Sequence, residues 1–105
     1  MKKELAREAL LAAARNLSLA EIRFLLAVFD NLEGGWETRP IRTDDLARQM
    51  GLQKGSLYIA FAALHAVGAI SRKAAAGGRI YTFHHPEFIA LIAARRERRE
   101  RANAA

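Results

Sequence analysis

Few groups in this chain could carry covalent or metal chemistry. There is no cysteine, so a thiolate nucleophile, a disulfide framework and a thiolate metal site are all excluded. Of the three histidines, His65 falls inside an apolar helical pattern and reads as structural. His84 and His85 are neighbours in an extended run, where adjacent side chains point to opposite faces, so they do not converge on one ion. No serine, histidine and acid fall into a hydrolase frame. No glycine-rich phosphate loop and no recognisable carboxylate pair is present either. The expectation is a protein that is not an enzyme and that uses no cofactor or metal.

What remains is charge. Lysine and arginine number 17 against 11 acids, a net charge of +6 and a pI near 10.5. That balance suits a polyanionic partner, nucleic acid or an anionic membrane. A membrane span is not expected, because the longest uncharged run, between Lys54 and Arg72, contains Gly55, Ser56, His65, Gly68 and Ser71 and falls just short of spanning length. Lys2 and Lys3 precede an alanine-rich run. Glu4, Arg7, Glu8 and Arg15 break it up, so no signal peptide is expected and a cytoplasmic location is.

The 105 residues fit one domain, read as an N-terminal helix (1–17), a core (18–85) and a C-terminal helix with a basic tail (86–105). Hydrophobic residues make up 51%, many of them alanine, so a thin, helix-rich core is expected, one that a partner subunit could complete. Leu5, Ala9, Leu10, Ala13 and Leu17 recur at helical spacing over residues 2–16. Ser18 and Glu21 have capping-box spacing ahead of a helix with the stripe Ile22, Leu25, Leu26, Phe29 and Leu32, stopped by Gly34 and Gly35. Trp36 to Ile41 reads as a loop, with Ile41 and Arg42 as a short edge strand. Thr43 then caps a short helix with Asp44 and Asp45 in its first turn. Leu46, Ala47 and Met50 face inward and Gly51 closes that helix. Another runs from about Lys54 to Val67 on Leu57, Phe61 and Leu64, ended by Gly68. Ile70 to Ala74 and Arg79 to His84 read as a β-hairpin around Gly77 and Gly78. Pro86 opens a final helix with Phe88, Ile89, Leu91 and Ile92, which runs into the arginine-rich stretch from Arg95 to Arg101.

The segment TDDLARQMGLQKGSLYIAFAALHAVGAI, Thr43 to Ile70, resembles the winged helix-turn-helix family, with Ala47, Gly51, Leu52, Leu57, Phe61, Leu64 and Gly68 in the family's places. The hairpin IxRKxxxGGRIYTF adds to the likeness, which covers about Ser18 to His85. It implies a mainly α chain with a small β-hairpin wing (α+β), to which the apolar spacing adds the N- and C-terminal helices. It further implies sequence-specific binding of double-stranded DNA by a transcriptional regulator such as a repressor, and the apolar stripes of the terminal helices suggest that it acts as a homodimer. In that family the second helix of the motif enters the major groove. Carried over, the DNA-binding positions are Thr43, Gln53, Lys54, Gly55, Ser56, Tyr58 and Ile59, with Arg72, Lys73 and Arg79 of the hairpin on phosphates or the minor groove. Bacterial transcription regulators and some plasmid replication initiators look similar, and the resemblance names no small-molecule effector.

Leu5, Leu10 and Leu17, with Phe88, Leu91 and Ile92, form narrow apolar stripes beyond the central motif, and these are the candidate dimerisation residues. The alternative is that they pack back on their own subunit. The rival function is a protein-binding module, or a replication or partition accessory of the same fold, with Ile59 and Ala62 holding a protein partner.

Overall fold

The computed structural model describes residues 8, 10, 11, 14, 17–33, 35–84, 98, 101 and 102. Helix α1, Leu19–Asp30, starts at a capping box. The Ser18 hydroxyl accepts from the Glu21 N–H at 3.1 Å, and the Glu21 carboxylate accepts from the Ser18 N–H at 3.0 Å. A cap of this kind stabilises a helix by ~1 kcal/mol. The buried side of α1 is wider than the stripe read from the sequence. Phe24, Leu25, Ala27, Val28 and Phe29 are buried, whereas Ile22 and Leu26 are only half-buried. A helix packed on several sides loses a single apolar stripe, and α1 lies against both of the following helices.

The helix ends at Asp30, before the expected glycines, because Asn31 satisfies its last turn. The Asn31 side-chain amide donates to the Ala27 carbonyl at 2.7 Å and to Gln49 at 2.6 Å, and its oxygen accepts from Arg39 Nε at 3.1 Å. Gly34 lies outside the described residues.

Helix α2, Thr43–Met50, begins one residue earlier than a Thr43 cap requires. Arg42 is the N-cap, with extended dihedrals (φ −74°, ψ 144°) and no side-chain cap bond. Its carbonyl already accepts the first helical bond, from the Leu46 N–H at 3.0 Å. Gly51 ends α2 at φ 70°, with the Leu52 N–H reaching back to the Ala47 carbonyl at 3.2 Å, and it turns the chain into α3, Lys54–Ala66. As the pattern predicted, Leu46, Ala47 and Met50 of α2 and Leu57, Phe61 and Leu64 of α3 are buried.

Strands β1, Ile70–Ala75, and β2, Gly78–Phe83, pair antiparallel from Ile70 opposite Phe83 to Ala75 opposite Gly78. The hairpin is tighter at its tip than expected, leaving Ala76 and Gly77 unpaired, and His84 falls after the strand. The segment read as a loop, 36–41, runs along the other edge of β2. Thr38 N–H donates to the Tyr81 carbonyl at 2.9 Å, Ile41 and Arg79 exchange backbone bonds at 3.0 and 2.9 Å, and Phe83 N–H donates to the Trp36 carbonyl at 2.8 Å. Pro40, having no N–H, interrupts this pairing. The described residues thus form an α+β domain of three helices and a two-stranded antiparallel hairpin.

The core is organised around three rings. Phe24 of α1, Phe61 of α3 and Tyr81 of β2 meet edge to face, with centroids 6.3, 5.8 and 6.0 Å apart. Phe29 and Phe83 make a second such pair at 4.9 Å. Leu10 and Leu17 belong to the same core.

Gly78 is the position least able to change. It has φ 142°, and a Cβ placed there would collide with the Ile41 carbonyl. Both conformational strain and backbone displacement oppose a side chain. Gly78→Ala is expected to lower stability by about 2–4 kcal/mol in urea unfolding. An unchanged midpoint would show that Ile41 and β2 need not approach so closely.

Candidate nucleic-acid interface

The first turns of α2 and α3 and the tip of the hairpin enclose an open cleft of about 440 Å³, lined by Arg42, Thr43, Asp44, Lys54, Tyr58, Gly77, Gly78 and Arg79. Backbone pairing builds it. The Ile41–Arg79 exchange pins the hairpin tip beside the start of α2, so the next residue, Arg42, lines the same cleft as Arg79. The Gly51 turn brings Lys54, the first residue of α3, within 2.9 Å of Asp44. Among the described residues, three cations and one carboxylate therefore line the cleft, and the positive ends of two helix dipoles add to the same potential.

The cations are not equivalent. Lys54 is spoken for by Asp44. Among the described residues, neither Arg42 nor Arg79 has a carboxylate within ion-pairing distance. The Asp44 carboxyl is held below its ordinary range, chiefly by the hydrogen bond from Lys54 and then by its charge, with Arg42 and Arg48 assisting. The Lys54 ammonium is raised, first by the same hydrogen bond and then by the carboxylate's charge. A depressed acid and an elevated base leave the pair intact across neutral pH. It is lost as pH falls through the lowered Asp44 value or rises through the raised Lys54 value.

Of the positions read from the sequence, Thr43, Lys54, Tyr58 and Arg79 come together in the cleft. Gln53 and Gly55 are exposed beside it and Ser56 is half-buried. Ile59, 73% exposed, stands on the outer side of α3 with exposed Ala62 and Ala63. Gln53, the N-cap of α3, makes no side-chain cap bond, which leaves its amide uncommitted to the helix end.

The hairpin cations separate, since neighbours in a strand face opposite ways. Arg72, paired with Tyr81, is on the face toward α3, with its guanidinium 4.1 Å from the Phe61 ring centroid and 5.9 Å from that of Tyr58. Its Nη1 is enclosed and has no hydrogen-bond partner among the described residues. Lys73 is on the other face and pairs with Glu37 at 3.5 Å. Arg72 and Lys73 thus share no face with each other, and neither lines the cleft.

Sequence reasoning missed Arg42 and Asp44 as cleft residues. The available signal was a basic residue directly before a helix start and an acid in its first turn, patterns common enough to pass as ordinary capping and dipole chemistry. Of the dimerisation candidates, Leu10 and Leu17 are buried in the chain's own core, whereas Leu5, Phe88, Leu91 and Ile92 lie outside the described residues. Leu11 and Leu19 are exposed. His65 holds the Ile70 carbonyl at 3.0 Å through Nδ1 and stacks on Phe61, and His84 meets the Ser71 hydroxyl at 2.7 Å. His85 lies outside the described residues. No three His, Asp or Glu side chains gather at a metal site, and no helix is long and apolar enough to cross a membrane, among the described residues.

Two expectations follow. An NMR titration of the Asp44 carboxyl should give a midpoint below ~3.9, returning toward that value in Lys54→Ala. Arg72 should act through the packing of its stem and plane. Arg72→Met, which still covers Phe61, is expected to stay within ~0.5 kcal/mol of the parent in urea unfolding, while Arg72→Ala loses about 1–2 kcal/mol. Equal losses would show that the charge, not the cover, matters. No protein-family model, curated protein or solved structure matches this chain.

Proposed function

We propose that the chain is a winged helix-turn-helix protein that binds double-stranded DNA, with the N-terminal turn of α3 in the major groove and the hairpin tip against the flanking backbone. The observation that carries this is the cleft itself. Arg42 and Arg79, without carboxylate partners among the described residues, stand with Lys54 where the starts of α2 and α3 meet the hairpin tip. A helix ~10–12 Å across fits a major groove ~12 Å wide. Phosphates on its rim would then lie against the cations and the helix N-termini. Gln53 at the N-cap and Ser56, Tyr58 and Ile59 on the first two turns of α3, exposed or half-buried, are the groups available for base edges. The role as a sequence-specific regulator rests on the resemblance alone, and the homodimeric state on the apolar terminal stripes, of which Leu10 and Leu17 are buried in the chain's own core.

One observation favours a second reading. Tyr58 and Ile59 are exposed apolar side chains, 46% and 73%, and the adjacent Ala62 and Ala63 leave that side of α3 uncharged. Such a surface suits a protein partner. Salt separates the two readings, because phosphate contacts release counterions and apolar contacts do not.

A labelled random-sequence duplex, titrated by fluorescence anisotropy at several salt concentrations, tests the proposal. Binding is expected to weaken steeply with salt. Arg42→Ala and Arg79→Ala are each expected to reduce affinity about tenfold at ~0.1 M salt and to flatten the log–log salt slope by about 0.9, the loss of one phosphate contact. Their unfolding midpoints should not move. Absence of duplex binding in dilute buffer, or no effect of either substitution, would overturn the assignment.

A further inference from the structure

We infer that Asp44 is an electrostatic brake on this surface: it occupies Lys54 and repels phosphate, so that the chain holds arbitrary duplex more weakly than its cations would allow. The inference deepens the DNA-binding proposal and rests on it.

The geometry is specific. Asp44 is the one carboxylate among the residues lining the cleft, and its oxygen lies 2.9 Å from Lys54 Nζ. The pair links the first turn of α2 to the first residue of α3, across the turn between them. An oxygen anion in that place does what a backbone phosphate would do, accepting from the ammonium at the start of α3. Phosphate must therefore displace the carboxylate and then endure its charge nearby. Exposure makes this an exchange and not a fixture, since both side chains are more than half accessible, at 56% and 55%. Surface pairs of this kind contribute little to folding. A ligand group offering Lys54 more than the carboxylate does can take it over, as a base edge with two adjacent acceptors would. The brake thus weakens generic contacts more than a matched one.

Asp45 supplies the internal control. It is in the same first turn and carries the same charge, but it pairs with Arg48 at 3.2 Å and does not line the cleft. Neutralising Asp45 changes the net charge as neutralising Asp44 does, without releasing Lys54.

Asp44→Asn, Asp45→Asn, Lys54→Ala and the Asp44→Asn/Lys54→Ala double variant should be titrated against a random-sequence duplex over a range of salt. Unfolding midpoints confirm that each is folded, and Asp44→Ser replaces Asp44→Asn if the latter is not. Asp44→Asn is expected to bind about tenfold tighter at ~0.1 M salt, with a log–log slope steeper by about 0.9, the gain of one phosphate. Asp45→Asn should stay within about twofold of the parent. Lys54→Ala should cost about twofold or less in the parent, where its charge is already compensated, and about tenfold in the Asp44→Asn background. A parent that binds duplex while Asp44→Asn binds no tighter overturns the brake and leaves the DNA-binding proposal standing. Equal gains from Asp44→Asn and Asp45→Asn also overturn it, because diffuse charge would then be the cause. If neither the parent nor Asp44→Asn binds duplex in dilute buffer, both proposals fall.

Discussion

The rings of Phe24, Phe61 and Tyr81 meet edge to face where α1, α3 and β2 converge, and the setting of α3 against α1 and the hairpin depends on that contact. Edge-to-face pairs contribute ~0.5–1.5 kcal/mol each beyond the area they bury. Their geometric consequence is larger than that figure suggests. Each ring belongs to a different element, so the triangle fixes the rotation of α3 about its axis relative to both α1 and the hairpin. With Phe61 turned inward beside Leu57 and Leu64, Tyr58 and Ile59 are carried to the outside. Arg72 closes the arrangement from above by laying its guanidinium on the Phe61 ring. A cation on the core-facing side of a strand would ordinarily weaken such a site, but a guanidinium 4.1 Å from the Phe61 ring centroid gains a cation–π contact there.

Backbone pairing at β2 supplies the second constraint. Segment 36–41 bonds along one edge of β2 while β1 bonds along the other, so β2 is held by backbone bonds on both edges. Close approach at Ile41 requires a residue without a Cβ opposite it, and Gly78 meets that requirement. Because Arg42 follows Ile41 directly and Arg79 follows Gly78, the same contact that demands a glycine also brings both arginines to the lining of one cleft. The cleft's charge is thus a consequence of strand pairing more than of local sequence.

How much of this could be read in advance follows the range of the interactions involved. The Ser18–Glu21 box, the left-handed Gly51 and the inward faces of α2 and α3 were legible because each is decided within one or two turns of chain. The stop at Asn31 was not, because it depends on Gln49 and Arg39 as well as on helix geometry. The pairing of 36–41 with β2 was hidden for the same reason, its partners being some forty residues away, as with Thr38 and Tyr81. Lys73 and Arg72 look like one basic patch when written in a line. Strand alternation divides them, and the arginine's inward face breaks the usual rule that charged side chains mark the solvent side. Asp44 was read as a dipole partner for α2, which its position allows. Its ion pair with Lys54 became visible only once the Gly51 turn had folded α3 back beside it.

Charge and apolar surface are also divided along α3 in a way that bears on the proposed mode of binding. Lys54 and the neighbouring arginines gather at the N-terminal end, where the helix dipole is positive, while Tyr58, Ile59, Ala62 and Ala63 leave the next turns uncharged. A duplex lying lengthwise on the helix would put phosphates against that uncharged stretch, where Arg72, 5.9 Å from the Tyr58 ring centroid, is the cation at hand among the described residues. One that receives the helix N-terminus first meets cations at the backbone and apolar side chains, suited to thymine methyl groups, inside the groove. A polyanion without grooves, such as an anionic membrane surface, would engage the cleft rim but leave Tyr58 and Ile59 no complementary partner deeper in. Under the DNA-binding proposal this axial order suits a groove that receives the helix N-terminus first, whereas the protein-partner reading rests on the same exposed Tyr58 and Ile59.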